Sequence, residues 1–254
     1  MICFLAMVTM GVSAPLGRGA EGNPGFPGLT EPILDATLSS PVSGIVGARK
    51  FKEGEFVKQG QAIVELDKKL EELEENRRRL VVAHLKHDLE AIRFLFSKPN
   101  SSIKKETLDK AQVDYDVSVV DHQTAEENLR RRSITAPFDG YIVEIFLQLG
   151  EACQIQYQQP VLRLVDTRRC YFVSHIDAKA GYTLKPGQPV TLEIEAGAAT
   201  VTVPGTIDFI SPVVDAASGL MKVKAIFDNS DGKIRPGVAG KMLLTETRSA
   251  DQRK

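Results

Sequence analysis

The chain has 254 residues and a formal net charge of −1, with 26% charged and 43% hydrophobic residues. That balance describes globular protein long enough for two or three small domains and excludes a disordered chain. It also lacks the concentrated basic face that nucleic acid requires, so no nucleic-acid partner is expected. The three cysteines, Cys3, Cys153 and Cys170, match no metal spacing and no disulfide framework. Cys153 and Cys170 could pair in an oxidising compartment, but two unpaired, buried thiols are the favoured reading.

Residues 1–14 contain ICFLAMVTMGV, an apolar run of about 11 residues. As a helix it would reach about 16 Å, against a hydrocarbon core of about 30 Å, so it cannot span a bilayer. It matches the apolar region of a secretory signal followed by the small residues VSA, which makes export the expectation. No Lys or Arg precedes it, as a start codon placed too far downstream would explain. Residues 15–34 are rich in Gly and Pro and read as a flexible linker.

Two stretches then echo each other. LSSPVSGIV, residues 38–46, and ITAPFDGYIV, residues 134–143, share a proline, two residues, a glycine and then β-branched and apolar residues. With Pro41 and Gly44 set on Pro137 and Gly140, a second pair coincides, Gly54-Glu55 with Gly150-Glu151. Each half closes on an alternating strand, QAIVELD at 61–67 and QPVLRLVD at 159–166, after two residues of slack. Neither half is large enough to bury a core alone. Residues 35–66 and 133–166 are therefore expected to form one split β-sandwich, with Gly44, Gly54, Gly140 and Gly150 at its turns and close approaches.

Between the halves, residues 67–132 read as an antiparallel helical hairpin. Asp67 is the expected N-cap of the first helix, whose apolar seam runs Leu66, Leu70, Leu73, Val81, Leu85, Leu89, Ile92 and Phe96. Pro99 stops that helix, and Ser101 or Ser102 is expected to cap the next. The second seam is Ile103, Leu108, Ala111, Tyr115, Val119, His122, Ala125 and Leu129, closed by Arg130, Arg131 and Arg132 near the negative end of the helix dipole. Val113, Val117 and Val120 lie off this seam at helical spacing and point to side-by-side packing with other copies.

The split sandwich resembles a biotinyl/lipoyl-type domain. Carriers of that type present one modified lysine on the turn joining the halves, usually flanked by methionine. Here Lys68 and Lys69 open a helix without flanking methionine, so the carrier reading is the weaker one. A sandwich split by a helical hairpin resembles the periplasmic adaptor, or membrane fusion protein, family (HlyD-like, resistance–nodulation–division type). APFDGYIV carries much of that likeness, as do Lys-Pro-Gly-Gln at 185–188, Ile-Ser-Pro-Val-Val-Asp at 210–215 and Arg-Pro-Gly at 235–237.

The resemblance implies a mainly β fold: the split sandwich, its hairpin, a β-barrel domain over 167–248 with a turn at Gly237, and a tail over 249–254. It implies a subunit of a tripartite efflux or secretion system, probing an outer-membrane channel with its hairpin and an inner-membrane transporter with its barrel, as a ring of six copies. The transporter would be a resistance–nodulation–division permease or, alternatively, an ABC exporter. Arg93, Pro99, Asn100 and Lys104 at the hairpin tip are the expected docking residues. Tips of this family typically carry Arg, Leu four residues on and Ser eleven on; here Arg93, Ser97 and Lys104 stand there. The family's usual Glu and Met are replaced by His175 and Val238.

His84 and His87 share a helix face at a spacing that can hold a metal, with Asp114 and Asp116 across the hairpin, but no third strong ligand joins them. His122 is expected near Arg77. No nucleophile motif and no phosphate-binding loop occurs, so no catalysis, no cofactor and no metal is expected.

Overall fold

A computed structural model describes residues 25–99, 102–197 and 199–244. The expected signal segment over 1–14, the tail over 249–254 and Asn100 lie outside the described residues.

In chain order, the first strands are β1 (Phe26–Ser39), β2 (Gly44–Arg49), β3 (Phe56–Val57) and β4 (Ala62–Leu66), followed by helices α1 (Lys69–Phe96) and α2 (Lys105–Arg130). Strands β5 (Ser133–Thr135), β6 (Gly140–Ile145), β7 (Ala152–Cys153) and β8 (Pro160–Asp177) come next. A short α3 (Ala178–Gly181) precedes β9 (Pro189–Ala196), β10 (Ala199–Val214), β11 (Leu220–Asp228) and β12 (Ala239–Leu244). The chain forms two compact units. One holds residues 31–171 and 228–236; the other holds the described residues up to 30, residues 172–227 and those from 237 on.

The first unit contains the sandwich, and the sequence repeat is a structural one. Gly54 donates its N–H to the carbonyl of Ile142 at 2.8 Å, and its counterpart Gly150 donates to Val46 at 2.9 Å. The return bonds match: Ile142 donates to Glu55 at 3.0 Å and Val46 to Glu151 at 2.9 Å. Both glycines hold φ near +85° (85° and 84°), a conformation costly for any residue with a Cβ. The glutamates after them accept from backbone N–H groups three residues upstream, Glu55 from Lys52 and Glu151 from Gln148.

Strand pairing repeats as well: Gly44 faces Cys153 and Gly140 faces Val57, while Val46 faces Leu66 and Ile142 faces Leu164. A register shift falls at the same place in each half, between Val46 and Ala48 and between Ile142 and Glu144. One buried cluster draws on both halves, with Val46, Val57, Ile63 and Leu66 from the first and Ile134, Ile142, Leu162 and Leu164 from the second. Cys153 and Cys170 are buried free thiols, and burial pushes that of Cys170 up to about 11.

Gly44 and Gly140 do not need positive φ; they sit where other atoms come close. A Cβ on Gly140 would lie 2.6 Å from the carbonyl oxygen of Val165 on the facing strand, and one on Gly44 would lie 2.8 Å from the Arg132 guanidinium.

In the second unit, β1, β12, β9, β10, β11 and β8 bond in that order, and β8 pairs back with β1 to close a barrel. Phe172, Ile176, Leu192, Ile194, Val223 and Met242 fill it. Gly237, at φ +99°, turns the chain into β12 and donates to Thr30.

Four boundaries differ from expectation. Residues 26–34 are strand, not linker: Phe26 to Leu29 pair with β12, and Gly28 lets β1 pass close to Phe172 and Val173. The glycine there marks a close approach, not freedom; residues 15–24 lie outside the described residues. The barrel does not own all of 167–248. Residues 167–171 and 228–236 belong with the sandwich, because the buried Asn229 amide donates to Thr167 and Ile234 and accepts from the Ile234 N–H. Finally, helix α2 has Lys104 in extended conformation at its N-cap, with no side-chain cap from Ser102; Ser101 lies outside the described residues. Lys68, not Asp67, occupies the N-cap of α1, although Asp67 accepts from the Lys69 N–H at 3.2 Å.

Substitution tests the paired turns. Gly54→Ala and Gly150→Ala are each expected to cost about 1 kcal/mol through the left-handed backbone. Gly140→Val should cost more, because backbone oxygen blocks its Cβ. Urea midpoints that stay at the wild-type value for all three would refute the paired-turn assignment.

Candidate partner-docking site

Backbone bonds clamp the hairpin where it leaves the sandwich. Leu66 N–H donates to the Arg132 carbonyl at 2.8 Å and Asp67 N–H to Ile45 at 2.8 Å. Arg132 then bridges helix and sandwich. Its guanidinium meets Glu71 at 2.5 Å and the Ser43 carbonyl at 3.0 Å, with both charged side chains largely shielded from water. A recess of about 350 Å³ opens beside this clamp, lined by Val42, Leu70, Glu71, Ala125 and Asn128.

Helices α1 and α2 run antiparallel, and their seam changes character along its length. Next to the sandwich it is polar: Glu71 with Arg132, Glu75 with His122 at 2.9 Å, and Arg78 with Asp121 at 2.6 Å. Further out, Val82, Leu85, Leu89 and Ile92 are shielded on α1, as are Leu108, Ala111, Tyr115 and Val119 on α2. The second seam thus follows the sequence expectation. The first does so only in its outer half. Leu70 (75% exposed), Leu73 and Val81 face solvent, because Glu71, Glu75, Arg78 and Val82 take the inward positions. His122 meets Glu75 and not Arg77, which binds Glu74.

The remaining charges of the inner hairpin largely neutralise one another. Hydrogen bonds from Arg77 and then Arg78 hold the Glu74 carboxyl at about 2, and those from Arg130 and then Arg131 do the same for Glu127. What is left over is apolar. Leu70, Leu73 and Leu80 form an exposed row on α1, and Val113, Val117 and Val120 form one on α2.

At the far end, Phe94, Leu95 and Phe96 are exposed; Phe96 closes the helix and does not join the seam. Arg93 donates to Gln112 across the hairpin and so ties the two helices below the tip. Pro99 is exposed and Lys104 is the N-cap of α2. Sequence reasoning named Arg93, Pro99 and Lys104 but passed over Phe94 and Leu95. An uninterrupted apolar triplet just before the Ser97–Pro99 stop is the signal that could have found them.

His84 and His87 are exposed and lie nearest Asp88 on their own helix, at 3.4 and 4.0 Å. Among the described residues, no group of three or more His, Cys, Asp or Glu side chains could hold a metal, and no helix is long and apolar enough to cross a membrane. The arrangement offers surfaces for docking: a fixed base, two apolar flanks and an apolar, cationic tip.

Removing the clamp should loosen the inner hairpin. Arg132→Ala is expected to cost about 1.5–3 kcal/mol, the range for hydrogen bonds to a charged group. Amide exchange should accelerate over residues 69–75 and 122–130 while residues 85–92 stay protected. Uniform protection in the variant would show that the base does not hold the helices.

Comparison with known proteins agrees with this architecture. Residues 35–164 match a family model described as the barrel-sandwich hybrid domain of RND membrane fusion proteins, and residues 175–248 match one described as a CusB-like beta-barrel domain. Multidrug resistance protein MdtE of Escherichia coli K12 is 27% identical over 245 residues, covering 87% of this chain and 63% of MdtE. Multidrug resistance protein MexA of Pseudomonas aeruginosa is 23% identical over 233 residues, covering 85% of this chain and 59% of MexA. The chain thus spans about three-fifths of the length of the curated relatives it matches. Among solved structures, a MacA-MexA chimera carrying the P. aeruginosa MexA α-hairpin aligns with a TM-score of 0.74 at 21% identity, over 85% of this chain and 78% of the chimera. MacA of Actinobacillus actinomycetemcomitans aligns at 0.64 and 22% identity, over 86% of this chain and 76% of MacA.

Proposed function

The chain belongs to the RND membrane fusion protein family, and from that premise we propose that it is a periplasmic adaptor of a tripartite efflux system. In this reading it couples an inner-membrane transporter to an outer-membrane channel through a ring of copies, six by analogy with its family. The observation that carries the reading is the hairpin: clamped at its base to a rigid sandwich, yet with unpartnered apolar rows along both helices and an exposed tip. A lone two-helix hairpin gains nothing from such rows; neighbouring copies on either side would cover them.

The relatives support this assignment. Besides the two multidrug resistance proteins, they include a protein named as the periplasmic linker of a solvent efflux pump and another of a toluene efflux pump, both from Pseudomonas putida. They favour a resistance–nodulation–division permease over an ABC exporter as the inner partner. The barrel unit would meet that permease, and Arg93, Pro99, Asn100 and Lys104 would meet the channel. Catalysis has no part in the mechanism: copies dock, tilt and seal, and the transporter supplies the energy.

The test is complementation of an efflux-deficient strain that expresses the cognate transporter and channel. Arg93→Glu should abolish drug resistance with unchanged protein level and helix content. Leu73→Asp with Val117→Asp should do the same by preventing ring formation, seen as loss of the high-mass cross-linked species. Full resistance in both variants would remove the hairpin from the docking role.

A further inference from the structure

Each helix of the hairpin carries a second row, away from the seam. From Glu71 to Ile92 the inward residues of α1 step by four and three in turn, a seven-residue repeat. Leu73, Leu80 and Phe94 keep that repeat on the outer side and are exposed, with His87 at the remaining place and Leu70 alongside. On α2, Val113 and Val120 stand seven apart on the outer side, with Val117 alongside. At about 3.5 residues per turn, each row lies about 154° around its helix from the seam, so it leans about 26° from directly opposite. The helices are antiparallel, and both rows therefore lean toward one face of the hairpin, that of the Arg78–Asp121 pair.

That lean decides what can cover the rows. If the α1 row of one copy meets the α2 row of the next, every step turns the same way by about 51°, which closes a ring at about six or seven copies. If like meets like, the lean alternates in sign and no ring closes. Charge agrees. The α1 row carries Arg77, His84 and His87 and no acidic residue, whereas Asp109 and Asp116 flank the α2 row.

We propose that a second copy docks its α2 row on the α1 row of the first, level with level, and that the lean of the two rows closes the ring. Within one hairpin Arg78 lies level with Asp121, so Leu80 of one copy meets Val120 of the next. The contact rests on the adaptor reading for its ring of copies. It adds which edges meet, at what height, and why the assembly closes.

The test uses the full chain in the efflux-deficient strain that expresses the cognate transporter and channel. Leu80→Cys and Val120→Cys would be expressed singly, as a mixture, and together in one chain, then treated with a short bismaleimide. The wild-type chain, whose Cys153 and Cys170 are buried, is the control. The expected result is no product from either single variant, a dimer from the mixture, and a ladder ending at a closed ring from the double variant. Adding Val117→Asp to the double variant should remove the ladder. Either single variant linking to itself, no product from the mixture, or a ladder untouched by Val117→Asp would overturn the proposed contact. A ladder without an end would overturn the closure. Resistance scored in the same cells separates the two readings. Resistance without cross-links keeps the adaptor and removes this contact; cross-links without resistance do the reverse.

Discussion

Four backbone hydrogen bonds, exchanged between the two halves of the sandwich, are the constraint on which the first unit depends. Gly54 and Glu55 reach the strand of Ile142, and Gly150 and Glu151 reach the strand of Val46, in the same geometry. Each half therefore supplies the partners that the other lacks, and neither can satisfy its own turn alone. Because the hairpin is inserted between the halves, its two ends are held by the same exchange. Leu66 and Arg132 bond to each other where the helices depart, so disorder in either half would reach the helices.

The hairpin then divides its work along its length. Near the sandwich, ion pairs and hydrogen bonds join the helices; such pairs fix direction and register but contribute modestly to stability at partly exposed positions. Further out, a plain apolar seam takes over. The polar inner seam turns leucines outward that a purely apolar seam would have consumed. A surface able to receive neighbouring copies thus arises from the same choice that sets the register at the base.

The sequence disclosed the parts whose chemistry repeats or punctuates. Proline and glycine at matched positions announced the two halves, and the second helix announced its seam because that seam is largely apolar. The inner half of the first helix stayed hidden for the opposite reason. Its inward residues are Glu71, Glu75 and Arg78, whose partners lie on another helix, so hydrophobic periodicity settled on Leu70 and Leu73 instead. The start of β1 was hidden because glycine signals both freedom and close approach, and only the facing Phe172 and Val173 decide between them. At the tip, Arg93 was legible through family likeness, while Phe94 and Leu95 became visible only once the helix was seen to end at Phe96.

Native-state hydrogen exchange of four amides, Val46, Gly54, Ile142 and Gly150, tests the central claim most directly. If the halves complete each other, these N–H groups open together, with one common free energy close to that of unfolding the whole unit. Exchange of Val46 and Gly150 at a rate well separated from that of Gly54 and Ile142 would show that the exchange sites act independently, and would contradict the account.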